Sequence, residues 1–482
     1  MPPGITWALL SAALMLSVWA SSGPIQWMDN GVMLLNAAQG RYFPVNVGAT
    51  AHPLYYSLNA VLFQWLGVYA VAYLNSFLLV PLAYMAYKVS RTLNVSRPYA
   101  ALAALGVVLL HSVFWVSTKM EVYALHLLLV LISYWLMFDE ELSLPSTWKI
   151  FALGLLTGLG AATHQLTFIV LFPLYLYVLH AFGWRLIVLA IPGFFLGMFP
   201  CYPPLVHKLL AGESLLTLMR MFLTDSDGGS SVGWEGALLR FDRIWNGKSY
   251  MLLVLISMVG VGLFGFLVPR GRKEGVLWWA ATLNLLFAVS YDVSDRFTFF
   301  LPGGAFYVIL GIAYIEKHYG RYASTPYATV GGILAHPACL VVIAALVGHG
   351  IVTLPSRSSS LPYRDEIRYF LAPYIQDTSA ERFALAYDQQ VPRGAVILAD
   401  YSPMGALQAA QVTGRFADNR IISCEEQTTS LPATVYLVRT DNCERMIQHY
   451  SLEAASMGWK LRKHNANGAT DDSVRVLSSG GG

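Results

Sequence analysis

The stretch ITWALLSAALMLSVWASSGPIQWMDNGV, residues 5–32, joins an uncharged apolar segment to an acidic residue, Asp29. An apolar run of about 17–25 residues is long enough to cross the hydrocarbon of a bilayer as a helix. A carboxylate beside a bilayer is costly unless water or a binding site surrounds it. The stretch therefore predicts a membrane-spanning helix with Asp29 in water or in a functional site at its end.

Charged residues are scarce in the first three quarters of the chain. The protein has 482 residues, of which 56% are hydrophobic and 12% are charged, whereas a soluble protein carries about 25% charged residues. Residues 1–354 hold 32 of the Asp, Glu, Lys and Arg residues, and residues 355–482 hold the other 27. The chain thus divides into a membrane domain, 1–354, and a tail domain of ordinary polarity, 355–482. The net charge of +3 is too small to indicate a nucleic-acid partner.

The apolar segments predict an α-helical polytopic membrane protein with about 11 transmembrane helices. The predicted spans lie near 5–22, 68–87, 98–114, 122–138, 148–163, 165–181, 186–204, 250–268, 275–290, 299–315 and 329–353. Segment 52–66 is apolar but short, so we expect it at the interface or dipping into the membrane. No basic residue precedes the first helix, which favours a retained span over a cleaved signal peptide.

Lys and Arg in short loops predict the orientation, because they accumulate on the cytoplasmic side. With the N-terminus inside, the cytoplasmic loops hold ten basic residues and the short outer loops hold three. The outer loop 205–249 holds five and departs from the trend, but its length weakens the rule. Eleven spans then place the tail domain outside as well, on the periplasmic or extracellular face of the plasma (inner) membrane.

The tail domain alternates strand and helix patterns. Residues 394–411, GAVILADYSPMGALQAAQ, predict a strand, a turn and a helix; residues 433–439, ATVYLVR, predict a strand; and residues 443–463, CERMIQHYSLEAASMGWKLRK, predict a helix running into a strand. This alternation indicates a small α/β domain. Cys424 and Cys443 can form a disulfide there in an oxidising compartment, although the sequence leaves open whether their geometry allows it.

Four polar stretches from distant parts of the chain emerge on the predicted outer side. They are Asp29–Gly40 with 51–56, Ser117–Tyr123, Ala162–Gln165 and Tyr291–Phe297. Each has a plain alternative, namely a helix cap at Asp29, a solvated turn at Lys119 and Glu121, a packing histidine at His164, and loop and cap residues at Asp292 and Asp295. The functional interpretation rests on their coincidence on one face.

The chemistry available there is acid–base catalysis and phosphate binding. A carboxylate can take the proton of an attacking hydroxyl, and Lys119, Arg296 or another outer-loop cation can hold a phosphate leaving group. The sequence has no glycine-rich phosphate loop, serine nucleophile elbow or HExxH motif, which disfavours a nucleotide-sugar enzyme with a soluble Rossmann domain. No cofactor is expected. The alternative is a metal site, although the spacing of its candidate ligands matches no metal signature. The candidate ligands are His52, His164, Asp29 and Glu121.

Several motifs follow one another in an order typical of a known family. They are Asp29-Asn30-Gly31-Val32, His52-Pro53-Leu54-Tyr55, Glu121-Val122-Tyr123-Ala124-Leu125-His126, His164 before an apolar run ending in Pro173, Asp295-Arg296-Phe297 leading to Leu301-Pro302, and 392–400 in the tail. In this order they resemble the bacterial membrane glycosyltransferases of the C-type (GT-C) superfamily, which are related to protein O-mannosyltransferases.

The resemblance implies transfer of a sugar from a polyprenyl-phosphate-linked donor to a hydroxyl of a protein or glycan, by a single inverting displacement on the outer face. It implies that Asp29 is catalytic, with Glu121 as the candidate for a second catalytic carboxylate. It also implies substrate-binding roles for His52, Tyr55, Lys119, Tyr123, His164, Asp295 and Arg296. The sequence departs from the family at Val32, where the family has Glu, and in a shortened His-Pro element. The second acidic role then passes to Glu121 or is missing.

Two other functions are compatible with the pattern. A transporter or lipid flippase also places charges at helix ends, but it should show inverted repeats with paired broken helices, and the sequence has no convincing repeat. A family member that has lost activity is the other alternative, which the Val32 departure favours.

Overall fold

The architecture comes from a computed structural model, and only part of the chain is described below. The described residues are 3–43, 51–224, 234–242, 252, 254–267, 271–293, 296–349, 361–364, 369, 376–424, 431, 434–448 and 450–463.

Helices account for most of the described chain up to residue 349. The α-helices of this region are α1 (Pro3–Ala20), α2 (Asp29–Ala38), α3 (Pro53–Leu66), α4 (Val68–Thr92), α5 (Arg97–Val108), α6 (His111–Ser117), α7 (Tyr123–Phe138), α8 (Ser146–Thr163), α9 (Leu166–Phe182), α10 (Trp184–Ile187), α11 (Ala190–Gly197), α12 (Tyr202–Leu210), α13 (Leu215–Thr224), α14 (Arg272–Ser290), α15 (Arg296–Phe299), α16 (Leu301–Tyr319) and α17 (Thr325–Gly348). Short 3-10 helices cover Phe199–Cys201, Trp234–Ala237 and Gly260–Phe266.

Fewer membrane spans are recognisable than the eleven predicted. Two helices, Val68–Thr92 and Thr325–Leu346, are long and apolar enough to cross a bilayer. Two helix pairs qualify if each is one bent span: Arg97–Val108 with His111–Ser117, bent by 63°, and Trp184–Gly197 with Phe199–Leu210, bent by 43°. Shorter apolar helices cover Gly4–Ala20, Tyr123–Phe138 and Leu166–Phe182. The described part of the chain therefore contains two to four clear spans by length and composition.

The predicted span 250–268 is not a continuous α-helix where it is described. Its residues from Gly260 to Phe266 form a 3-10 helix. The reason is close packing against α16, since a Cβ on Gly265 would lie 2.2 Å from the carbonyl oxygen of Tyr307. Segment 52–66, in contrast, forms the short helix α3 as expected, and its end is exposed at Trp65.

The helices pack around a common core of aromatic and aliphatic side chains. Helix α4 packs on α5 and α7, α8 packs on α11, and α14 packs on both α9 and α16. Tyr134 is fully buried at this core, where its hydroxyl donates to the carbonyl of Val170 over 2.8 Å and its ring meets Phe306 at 4.7 Å. A buried hydroxyl needs such a partner because leaving it unpaired costs free energy.

The tail domain is a five-stranded sheet with helices, as the alternating pattern predicts. Its elements are α18 (Ser379–Asp388), β1 (Val396–Ala399), α19 (Tyr401–Val412), β2 (Arg420–Ser423), β3 (Thr434–Leu437), α20 (Glu444–Ile447), β4 (Tyr450–Ala454) and β5 (Trp459–Lys463). The strand order is β2-β1-β3-β5-β4. Strand β1 lies parallel to β2 and β3, and β5 lies antiparallel to β3 and β4.

The prediction for residues 443–463 was wrong in one respect. The helix α20 lasts only four residues, and a hairpin of β4 and β5 follows it. The backbone reverses at Gly458, whose φ of 78° suits glycine. Pairing of β5 with β3 (Val435 opposite Leu461) overrides the helical tendency of this segment.

Cys424 and Cys443 form a disulfide, with their Cα atoms 4.9 Å apart. The bond joins the end of β2 to the residue before α20, and Cys443 is fully buried in the smaller core of the tail. This pairing, which the sequence left open, is the one that the geometry allows.

Candidate active site

Asp29 is the first residue of α2 and is half-buried. The preceding residue, Met28, occupies the N-cap position with a φ of 61° and makes no side-chain capping bond. Asp29 therefore sits one position inside the helix rather than at the cap. A carboxylate in the first turn interacts favourably with the helix dipole.

Asn30 links the start of α2 to Glu121. In the orientation that satisfies its neighbours, its side-chain amide donates to Oε1 of Glu121 over 3.1 Å and to the carbonyl of Met120 over 2.7 Å. Asn30 is fully buried, and Gln26, one turn before it, accepts from the Met120 N–H over 3.0 Å. The structure thus brings the loop that carries Glu121 against the residue next to Asp29.

Two tyrosines of α3 lie within the electrostatic reach of these carboxylates. Burial, together with the charge of Asp29, raises the pKa of Tyr56. Burial, together with the charge of Glu121, raises the pKa of the predicted site residue Tyr55, whose hydroxyl donates to Asn75 over 3.4 Å. Both phenols are therefore neutral hydrogen-bond donors at ordinary pH.

Lys119 is buried between the membrane helices and Tyr369 of the tail domain. Its Nζ lies 3.2 Å from Oγ of Ser22, 5.3 Å from the Trp115 ring and 4.7 Å from the Tyr369 ring. Burial lowers the pKa of Lys119, the carboxylates of Asp377 and Glu121 oppose that shift, and Arg364 adds to it.

Arg364 and Asp377 complete this charged cluster. The guanidinium of Arg364 lies 4.3 Å from the Tyr369 ring and 5.6 Å from the Trp27 ring. Burial raises the pKa of Asp377. This effect is outweighed by the charge of Lys119, by two hydrogen bonds with Ser379 and by the charge of Arg364, which together hold the pKa below its usual value. Sequence reasoning missed both residues because they lie more than 240 positions after Lys119 and belong to no motif.

His52, His164 and Tyr123 meet in a second cluster with His126 and Phe299. The His164 ring is central, at 5.4 Å from His52, 5.2 Å from Tyr123, 5.7 Å from His126 and 5.5 Å from Phe299. The main-chain N–H of residue 166 donates to Nδ1 of His164 over 3.1 Å, so a neutral His164 carries its proton on Nε2. His126 stands in a quoted motif, but sequence reasoning gave it no role.

Arg296 forms hydrogen bonds to residues that precede it closely in the chain. Its guanidinium, fully buried, donates to Asp292 over 2.9 Å and to the carbonyl of Val289 over 2.9 Å. These bonds hold the end of α14. Asp295 lies outside the described residues. The substrate-binding roles expected for Asp295 and Arg296 stay predictions.

The tail domain packs directly on the start of α2. A Cβ on Gly31 would lie 1.7 Å from the carbonyl oxygen of Gly405 in α19, and one on Gly405 would lie 1.9 Å from the carbonyl oxygen of Met28. The Met28 N–H also donates to the carbonyl of Ser402 over 3.2 Å. The two backbones approach this closely only because both helices carry glycine at the contact.

Two further interactions support the same contact. The indole N–H of Trp27 donates to Oγ of Ser379 over 2.8 Å, and the Trp27 ring meets Phe383 at 5.1 Å. At the start of α19, Asp400 and Arg439 form a buried ion pair. The segment that carries Asp29 is thus held by the tail domain.

The described residues contain no group of three or more His, Cys, Asp or Glu side chains arranged to hold a metal ion. The alternative metal site of His52, His164, Asp29 and Glu121 therefore gains no geometric support in the described part of the chain.

Comparison with known proteins identifies the fold. No protein-family profile matches the sequence, and no curated protein is significantly similar to it in sequence. The structure resembles that of ArnT from Cupriavidus metallidurans bound to undecaprenyl phosphate, with a TM-score of 0.57 and 11% identity over 96% of this chain and 98% of that one. The apo form of ArnT gives a TM-score of 0.49 and 12% identity, over 95% of this chain and 97% of that one.

An oligosaccharyltransferase from Archaeoglobus fulgidus, in a complex with zinc and sulfate, matches with a TM-score of 0.41 and 12% identity, over 86% of this chain and 62% of that one. The likeness to the undecaprenyl-phosphate form of ArnT extends over nearly the whole of both chains. The chain therefore has the fold of ArnT.

Proposed function

We propose that this protein is a glycosyltransferase that moves a sugar from a polyprenyl-phosphate-linked donor to a hydroxyl of a protein or glycan on the outer face of the membrane. The observation that carries the proposal is that Glu121 contacts Asn30, the residue next to Asp29, and that the buried Lys119 lies within the electrostatic reach of Glu121. Base and phosphate-binding cation are the two parts that the reaction needs. The fold shared with ArnT, whose structure contains undecaprenyl phosphate, supports a polyprenyl phosphate as the lipid partner.

In this mechanism Asp29 takes the proton of the acceptor hydroxyl. The acceptor oxygen attacks the anomeric carbon from the face opposite the phosphate, and the bond from that carbon to the phosphate oxygen breaks. The polyprenyl phosphate leaves with the bonding electrons, and the configuration at the anomeric carbon inverts. The contact between Asn30 and Glu121 fixes the direction of α2 at Asp29. Glu121 then supplies the second carboxylate, which the resembled family supplies with a Glu at the position of Val32.

The departing phosphate gains negative charge, and Lys119 with Arg364 would stabilise it. A guanidinium can bind two phosphate oxygens at once, and charge-assisted hydrogen bonds of this kind are roughly twice as strong as neutral ones. The aromatic rings of Trp115 and Tyr369 exclude water from Lys119. A bound phosphate would favour the ammonium form of Lys119 and so oppose the lowering of its pKa by burial.

The cluster around His164 would bind the sugar. Imidazole and phenol groups offer neutral donors and acceptors of the kind that hydroxyl groups of a sugar need. His52, Tyr55 and Tyr123 are the remaining members of the proposed sugar site, and no cofactor takes part in the proposal.

The proposed location is the plasma (inner) membrane, with eleven spans, the active site outside, and domains at 1–354 and 355–482. Disulfides persist in oxidising compartments, so the bond between Cys424 and Cys443 supports an outer position for the tail domain. The contact of α19 with the start of α2 supports the same side for Asp29.

The experiment that tests the proposal is transfer of a radiolabelled sugar from polyprenyl phosphate by the purified protein, comparing wild type with Asp29→Asn. Loss of about 10²–10⁴-fold in rate is expected when a general base is removed, with donor binding retained. Undiminished transfer by Asp29→Asn would exclude the catalytic assignment. Absence of transfer with any donor, together with substrate flux in vesicles, would instead favour a transporter or flippase.

A further inference from the structure

A long groove of about 580 Å³ lies between α9 and α14 on the outer surface of the helix bundle. Its walls are apolar and include Phe172, Leu176 and Trp279, each more than half exposed. Two residues that can carry positive charge, His180 and Arg272, also line it. The candidate active site uses none of these five residues.

The cationic end of the groove is far from the candidate active site. Helix α9 begins beside His164, and His180 lies 14 positions after Leu166, which corresponds to about 21 Å along a helix. Helix α14 ends beside Tyr291, whose ring is 4.7 Å from Phe299 of the His164 cluster, whereas Arg272 is at its other end. The two helices thus run in opposite directions and place both basic residues at the same remote end.

That end also has the composition of a membrane interface. Trp184, the first residue of α10, follows α9 after Gly183 and is 65% exposed; the guanidinium of Arg185 lies 5.8 Å from its ring. Tryptophan and basic residues concentrate where headgroups meet hydrocarbon. The groove therefore runs from headgroup level toward the middle of the bilayer.

Neighbouring carboxylates do not neutralise Arg272. Glu274 accepts from the Gly271 N–H over 2.9 Å at the start of α14, and Glu140 pairs with Lys273 over 2.6 Å. Within the described ranges no carboxylate forms an ion pair with Arg272.

We propose that this groove binds an anionic glycerophospholipid, with the headgroup phosphate at Arg272 and His180 and one acyl chain between α9 and α14. The apolar walls suit a chain, and basic residues between membrane helices attract anionic headgroups. The polyprenyl donor of the proposed function is a poor match, because its phosphate would lie at the opposite end, at Lys119. The bound lipid would hold the remote ends of α9 and α14 together.

Gly275 provides a way to fill the groove without disturbing the helices. It lines the groove, and a Cβ placed on it meets no atom within 4 Å. Gly331 in α17 is equally open but does not line the groove. Gly275→Leu and Gly331→Leu are therefore a matched pair.

Arg321 supplies the matched control for Arg272. It follows α16 at the end of that helix remote from Phe299, it is exposed, and its guanidinium lies 5.1 Å from the Tyr322 ring. Arg321→Gln removes a cation at the same end of the bundle without touching the groove.

The test is native mass spectrometry of the full-length protein exchanged into mixed micelles of phosphatidylglycerol and phosphatidylethanolamine with identical acyl chains. Wild type should retain phosphatidylglycerol preferentially. Arg272→Gln should lower that retention about fivefold and leave phosphatidylethanolamine unchanged, and Gly275→Leu should lower retention of both lipids. Arg321→Gln and Gly331→Leu should match wild type.

Three results would overturn the proposal. One is equal retention of the two lipids by wild type, which indicates ordinary annular lipid. Another is an equal loss of phosphatidylglycerol in Arg321→Gln and Arg272→Gln. The third is that added undecaprenyl phosphate displaces phosphatidylglycerol and that Gly275→Leu abolishes the binding of undecaprenyl phosphate. This result would assign the groove to the polyprenyl chain. None of these readouts depends on sugar transfer.

Discussion

The side chain of Asn30 lies 3.1 Å from Oε1 of Glu121, although 91 residues separate the two in sequence. This contact joins the start of α2 to the turn that precedes α7. Glu121 thereby contacts the residue that follows Asp29 in α2. Asn30, an uncharged residue, therefore fixes the position of Glu121 relative to the start of α2.

Asn30→Asp should lower the rate of sugar transfer by about tenfold or more, since precise positioning of the base contributes to its effect. A third carboxylate beside Glu121 and Asp29 raises the pKa of at least one of them, so the acidic limb of the pH–rate profile should move to higher pH. Initial rates between pH 5 and 8 measure both effects. Asn36→Asp, at the other end of α2, is the control; its amide donates to the carbonyl of Val32 over 2.9 Å. Equal pH shifts in both variants would contradict the role of Asn30.

The sequence predicted the mostly helical class and the sheet of the tail better than it predicted contacts between distant residues. Apolar segments reveal burial in lipid or protein, but they do not show where a helix breaks, as α5 and α6 do between Val108 and His111. Motifs identified Asp29 and Lys119 because local patterns carry them. Arg364 joins Lys119 only through tertiary packing around Tyr369, for which no local pattern exists.

The binding of polyprenyl phosphate should weaken as pH rises through the depressed pKa of Lys119, because the ammonium loses its proton at a lower pH than a solvated lysine does. Asp377→Asn removes a carboxylate that raises this pKa, so the loss of binding should shift to lower pH. Dissociation constants for undecaprenyl phosphate between pH 7 and 10 measure the shift. Asp388→Asn is the control, since Asp388 pairs with Arg415 at 3.8 Å in the tail domain. An unchanged profile in Asp377→Asn would contradict the proposed coupling.

Lys119 also gives stability a definite pH dependence. Its pKa is lowered in the folded protein, so between that value and the usual pKa near 10.4 the unfolded chain binds more protons than the native state. The contribution of Lys119 to the free energy of unfolding should therefore rise with pH across this window. Comparing thermal unfolding of wild type and Lys119→Met between pH 7 and 10 tests the sign. Lys119→Met should remove this slope, and a slope that stays the same would show that other groups cause it.

Reduction of the disulfide should destabilise the tail domain by about 3 kcal/mol, the chain-entropy value for a loop of this length; Cys424 and Cys443 are 19 positions apart. Cys443 is buried and packs with Leu437 and Leu461, so Cys443→Ser would add a packing loss. Cys424→Ala with Cys443→Ala is therefore the better variant, and limited proteolysis of the tail with and without reductant measures the effect. Wild type should become as susceptible as the double variant only under reducing conditions. Cys201→Ala is the control, because Cys201 is a free cysteine.

The contact between Gly31 and Gly405 predicts that the tail domain controls catalysis. In Gly405→Ala the new Cβ would lie 1.9 Å from the carbonyl oxygen of Met28, so α19 must move away from the start of α2. Because a displacement of about 1 Å can cost 10²-fold in rate, kcat for sugar transfer should fall by about that factor. Of the two proposed phosphate-binding residues, Lys119 contacts Ser22, Trp115 and Tyr369, whereas Arg364 reaches Sδ of Met28 over 3.9 Å. The affinity for undecaprenyl phosphate should therefore fall less than kcat does. A helical glycine with open space, Gly331, provides the control as Gly331→Ala. A fall in donor affinity equal to the fall in kcat would show general unfolding of the site rather than misplacement of Asp29.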